Sequence, residues 1–109
     1  MTDYLFIEAR DPFTSRDTEF LEQTATALKL RGHAVTLFLV QNGVLAARNQ
    51  GRDSYLSRLA AAGVVLLADD FSLTERGIQT GEMRPGIQPS GIETLVDALI
   101  EQNTRAIWH

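Results

Sequence analysis

A chain of 109 residues, 44% hydrophobic and 22% charged, has the size and makeup of one globular domain with a single core. Its net charge of −4, with ten scattered Lys and Arg residues, argues against nucleic acid or an anionic membrane as the main partner, since both need clustered cations. The absence of cysteine removes disulfides and thiolate metal sites, and no apolar run is long enough for a membrane span or a signal h-region, so a cytoplasmic location is the default expectation.

The first element is the short apolar strand Tyr4-Leu5-Phe6-Ile7, followed around Pro12 by a loop at its carboxyl end. Over 16–31 the residues Phe20, Leu21, Thr24, Ala25 and Leu28 recur at helical spacing and predict a helix that buries them and stops at Gly32. Residues 34–40, rich in Val35, Leu37, Phe38, Leu39 and Val40, read as a strand buried on both faces, the habit of parallel sheets. Asn42-Gly43 turns the chain into a short helix over 44–48, which Gly51 breaks. A second helical segment over 54–62 points Tyr55, Leu56, Leu59 and Ala60 inward and ends at Gly63.

A third strand over 64–68 leads into a short helix that Gly77 closes. Gly81, Pro85, Gly86 and Pro89 predict a loop over 79–89 with at most a very short strand near Gly86-Ile87-Gln88. Ser90-Gly91-Ile92-Glu93 fits a capping box opening a helix that buries Ile92, Leu95, Val96, Leu99 and Ile100, and a strand around Ala106-Ile107-Trp108 closes the sequence. Strands alternating with helices through short connections imply parallel crossovers, hence a three-layer α/β/α domain with a mainly parallel sheet of four to five strands.

The third strand and the helix after it carry the chemistry worth weighing, because a strand's carboxyl end opens a crevice and a helix start offers unpaired N–H donors. Ser72-Leu73-Thr74-Glu75-Arg76-Gly77-Ile78 resembles the Cys-Leu-x-x-Arg-Gly-Ile pattern of the DsrE/DsrF-like sulfur-relay (TusBCD-type) family, whose cysteine carries a persulfide. Ser72 stands at the cysteine position. Gln41-Asn42-Gly43-Val44, followed by alanines, resembles the family's strand-to-helix turn with its Gly-Val pair. Gly63-Val64 leads into the strand before the sulfur-carrying position, and the segment over 86–99 with the strand after it resembles the family's closing helix and strand.

The resemblance implies one DsrE/DsrF-like domain over 1–109, with five parallel strands ordered fourth, third, second, first, fifth, and a homo-oligomer, trimeric or hexameric. It further implies a binding or assembly partner in sulfur-related metabolism, working with a sulfur-relay protein. Without the cysteine, the chain is not expected to carry a persulfide or to act as a sulfurtransferase by itself. Two other readings stay open: a small-molecule-binding protein or enzyme using Asp69, Asp70 and Ser72 in the crevice, and a purely structural subunit of a mixed oligomer.

Ser72-Leu73-Thr74-Glu75 is also a capping box in its own right, and capping is the simpler role for Ser72. A serine nucleophile would need a base within about 3 Å. His33 belongs at the amino end of its strand, and strand spacing places His109 roughly 10 to 14 Å from Ser72. The Gly-x-Ser-x-Gly elbow is absent as well. Asp69 and Asp70, being consecutive, should project to opposite faces and complement the helix dipole instead of sharing a proton, while opposing an anionic sulfur beside them.

A small anion is the one ligand with local support: Arg10 and Arg16 flank the loop after the first strand, Asn42-Gly43 can present N–H groups, and Arg76 lies one turn into the short helix. The competing role is pairing of these arginines with Asp11, Asp17 and Glu75. No cofactor motif is present, and the two histidines lie in separate elements, which disfavours a metal site. Trp108, beside the end of the sequence, should be covered by the subunit's own helices or by a neighbour.

Overall fold

The computed structural model describes residues 2–11, 18–49 and 54–109; Pro12, Arg16, Asp17 and Gly51, named above, lie outside them. Five strands pair in parallel in the order β4-β3-β2-β1-β5: β1 Asp3–Glu8, β2 Val35–Leu39, β3 Val65–Asp69, β4 Ile87–Ser90 and β5 Thr104–Trp108. Alternate residues of the central strands face two cores. Phe6, Leu37, Leu39 and Leu66 pack with α1 (Thr18–Leu30) and α2 (Tyr55–Ala61), while Leu5, Ile7 and Phe38 pack with Leu95 of α4 (Ile92–Ile100). The fold is thus a three-layer α/β/α arrangement on a fully parallel five-stranded sheet, and no described helix is long and apolar enough to cross a membrane.

The apolar runs locate the strands because parallel strands are buried on both sides. Gly63, at φ +95°, takes the left-handed turn that ends α2 and releases the chain into β3. The residues after β2 form a 3-10 helix, Gln41–Ala47, whose Val44, Ala46 and Ala47 are buried. Ser54 caps α2 by accepting from the Leu56 amide at 3.1 Å. The expected short strand near Gly86 is β4, and it tolerates Pro89 because it lies at the sheet edge, where one missing donor costs nothing.

Two burial expectations and one capping expectation are corrected. Phe20 is 60% exposed, because Leu21 and Ala25 set the buried stripe of α1 and Phe20 sits about 100° away from Leu21 around the helix. Of the α4 residues only Leu95 is buried; Ile92, Val96, Leu99 and Ile100 are exposed, since α4 lies alone on its side of the sheet and seats a single stripe. Ser90 does not cap α4. It pairs with Asp69 as the last rung of the β3–β4 ladder, and Gly91 takes the cap position without a side-chain bond.

Candidate functional site

At the carboxyl end of β3 the chain turns directly into α3 (Asp70–Glu75), and the capping residue is Asp69. Its Oδ2 accepts from the Ser72 amide at 3.0 Å and from the Ser72 hydroxyl at 2.6 Å. Ser72 is therefore in the first turn and is not the cap. The carboxylate three residues upstream is the stronger acceptor for the helix's unpaired N–H groups and claims the position. Ser72 Oγ in turn accepts from the backbone N–H of Gln41 at 2.9 Å, and Gln41 holds a φ of 50° as it leaves β2. Glu75, expected to complete a capping box, instead lies 3.8 Å from Arg76. Asp69 is buried and Asp70 exposed, so the two carboxylates do diverge.

Asn42, Ser72 and Arg76 come together as the crevice reading requires. Arg76 donates from Nε and Nη2 to Asn42 Oδ1, both at 3.2 Å, and from Nη1 to the Ser72 carbonyl at 3.2 Å. Its fork ties the 3-10 helix to α3, so much of its capacity for an anion is already used inside the protein. Gly43 is buried against β1; a Cβ there would lie 2.2 Å from the Glu8 carbonyl oxygen, so only glycine permits the approach. Arg10 belongs to another cluster, through its amide N–H, which donates to Glu8 Oε1 at 2.9 Å. A cavity of about 450 Å³ beside α3 is lined by Asp70, Leu73, Thr74 and Pro89 among others, but not by Ser72, Asn42, Gly43 or Arg76.

Neither histidine serves Ser72. His33 Nδ1 meets the Thr2 carbonyl at 2.8 Å at the amino end of β2, where it was expected, with its ring edge-on to Tyr4. His109 instead pairs through Nδ1 with Glu8 Oε2 at 2.5 Å. Glu8 is the residue that sequence reasoning missed. It is fully buried at the end of β1, on the same face as Tyr4 and Phe6, and that parity with the apolar strand was the available signal. Tyr55 of α2 lies within reach of its charge: burial, and then Glu8, push the Tyr55 phenol well up, and its hydroxyl has no hydrogen-bond partner. Among the described residues no three of His, Asp or Glu are placed to hold a metal ion.

The geometry has close counterparts among solved structures. The ychN protein from E. coli superposes with a TM-score of 0.83 at 19% identity, over 98% of this chain and 100% of that one. MTH1491 from Methanobacterium thermoautotrophicum, a protein of unknown function, gives 0.80 at 19% identity over 100% of both chains. Likeness at that identity carries the fold alone. No curated protein matches the chain. The model of the DsrE/DsrF-like family matches residues 3–107, from the first residue of β1 into β5, and the chain therefore belongs to the DsrE/DsrF-like family.

Proposed function

We propose that this protein is a homo-oligomeric, cytoplasmic member of its family that acts as a binding or assembly partner in sulfur-related metabolism without carrying sulfur on its own chain. The observation that carries this reading is the state of Ser72, which occupies the cysteine position of the Cys-Leu-x-x-Arg-Gly-Ile pattern. It is only 4% exposed, and its hydroxyl is held between Asp69 and Gln41, so the position works as a structural joint. An alcohol cannot hold a transferable sulfane sulfur, and the chain has no thiol.

Assembly is supported by the apolar surface on the α4 side. Ile92, Val96, Leu99 and Ile100 of α4 are exposed, with Val65 of β3 and Trp108 of β5. So many large apolar side chains on a small chain mark an interaction surface. The subunit's own helices do not cover Trp108, which is 65% exposed, and this supports the other expectation, a neighbouring copy as its cover in a trimer or hexamer.

The test is intact mass after incubation with thiosulfate or polysulfide, paired with light scattering and native mass spectrometry of what co-purifies. No covalent sulfur, a particle several times the 12.1 kDa chain and a retained cysteine-bearing protein are the expected results. A stoichiometric gain of sulfur defeats the non-carrier reading, a monomer defeats the assembly reading, and a retained small molecule in place of a protein favours a ligand-binding role for the crevice.

A further inference from the structure

We propose that Glu8 and His109 form an acid–base dyad in which Nε2 of His109 takes a proton from a weakly acidic protic ligand, a phenol or thiol, seated against Phe20. The two residues end neighbouring strands, and His109 extends the β1–β5 ladder, its N–H donating to the Ile7 carbonyl at 2.8 Å and its carbonyl accepting from Ala9 at 3.3 Å. From β1 the chain crosses to β2 through α1 on one face of the sheet, whereas it reaches β5 through α4 on the other. The connections diverge at this pair of strands, which is where parallel sheets open a ligand crevice.

The Glu8 carboxylate, wholly buried, has each oxygen committed: Oε1 to the Arg10 amide at 2.9 Å and Oε2 to His109 Nδ1 at 2.5 Å. An ionised carboxylate only accepts, so Nδ1 carries the proton that it receives, and in the neutral imidazole the lone pair is then on Nε2. Nε2 has no partner among the described residues, and the side chain is 16% exposed, so a small molecule can reach it. This is the division of labour of carboxylate-oriented histidines in catalysis, with one nitrogen held by a buried acid and the other presented outward. Phe20 of α1 stacks beside the imidazole, with ring centroids 6.1 Å apart and 28° between the planes, and being 60% exposed it supplies apolar surface next to the imidazole for a planar or sulfur-containing ligand. Tyr55, kept protonated by burial and by Glu8, is a further hydroxyl donor buried in the same cluster.

The step is a proton transfer and balances without a co-reactant. The ligand's X–H bond breaks, its electron pair stays on X, the proton forms a bond to Nε2, and the imidazolium is neutralised by Glu8.

p-Nitrophenol is a suitable probe, because ionisation produces the yellow phenolate. Added to the intact protein slightly below its own pKa, it should show phenolate absorbance that rises with protein and saturates. His109→Gln should abolish the rise, Phe20→Ala should weaken it, and His33→Gln should leave it unchanged. Glu8→Gln should cut apparent affinity about tenfold, the order expected for one hydrogen bond to a charged group. Because Glu8→Gln removes a buried charge, its folding is checked by circular dichroism, and the His109 and Phe20 variants decide the matter if it fails. In ¹⁵N NMR the Nε2 resonance of His109 should move on titration. No phenolate band, an undiminished band in folded His109→Gln, or a stationary Nε2 resonance would overturn the dyad and leave the pair as a clamp on β5.

Discussion

Gln41 and Ser72 lie 31 residues apart and meet through one hydrogen bond, from the Gln41 amide to the Ser72 hydroxyl oxygen at 2.9 Å. The same hydroxyl donates a hydrogen bond to Asp69 at 2.6 Å, so three residues from two strand ends share one small polar joint. The joint fixes where the 3-10 helix after β2 sits against α3, and Arg76 reinforces it by bridging Asn42 and the Ser72 carbonyl.

Removing the acceptor should cost more than removing the hydroxyl. Asp69→Ala loses the cap and two hydrogen bonds to a carboxylate and should destabilise by about 2 to 3 kcal/mol. Ser72→Ala leaves the Gln41 amide without its partner and takes one hydrogen bond from Asp69, which still holds the residue 72 amide and the cap, and should cost about 1 to 2 kcal/mol. Urea unfolding midpoints at constant slope give both values, and an equal loss in the two variants would show that Asp69 does not organise the joint.

Ser72→Cys should load persulfide poorly, because the sulfur replaces an oxygen now 2.6 Å from a buried carboxylate and its anion would face that charge. Exposed Asp70 should have little influence, so Asp69→Asn in the Ser72→Cys background should speed loading and Asp70→Asn should not. Mass spectrometry over a time course of polysulfide exposure reads the rates. Rapid loading of the single Ser72→Cys variant would show that the carboxylate does not oppose the anion.

Gly43→Ala places a methyl group 2.2 Å from the Glu8 carbonyl oxygen, a backbone atom that cannot swing away. It should cost about 3 kcal/mol or abolish folding, at the upper end of overpacking effects. At Gly77 nothing lies within 4 Å of an added Cβ and only its φ of +68° opposes a side chain, so Gly77→Ala should cost about 1 kcal/mol. Thermal unfolding of the two variants compares them directly.

Tyr55 makes stability fall on the alkaline side. Its pKa is raised in the folded protein, by burial first and by Glu8 second, so the folded state holds the phenolic proton more tightly than the unfolded state does. The contribution is fully present below the unfolded phenol's pKa of about 10 and is lost as pH rises beyond it, by up to about 1.4 kcal/mol per pH unit. Tyr55→Phe should flatten that limb and cost little near neutral pH, because the hydroxyl has no partner to lose. Identical alkaline unfolding of the two proteins would place the titrating group elsewhere.

The strands and helices were legible because buried parallel strands must be apolar on both faces and amphipathic helices must repeat every three or four residues. Which side of a stripe is covered was not legible: periodicity groups Leu21 with Ala25, and Leu95 with its neighbours, without saying that α4 lies alone on its face and leaves Val96 and Ile100 outside. The choice of cap between Asp69 and Ser72 depended on where β3 ends, and Asp69 is kept in the strand by its pairing with Ser90. Glu8 was hidden for another reason. Its partner lies 101 residues away, so a local reading of the strand end shows a polar residue entering a loop.

The position of β5 beside β1 sets the order in which this fold can be completed. β1 is the first strand to be synthesised, yet one of its edges stays bare, and the Glu8 carboxylate stays without its imidazole, until a residue 101 positions later has been made. Closure of so long a segment must be met from chain entropy before the contacts that reward it exist. A nascent chain that has already docked β2, β3 and β4 therefore still exposes the bare edge of β1, of the kind that recruits other chains, and the arrival of β5 covers that edge and gives the Glu8 carboxylate its imidazole in one event, leaving β5 as the outer strand.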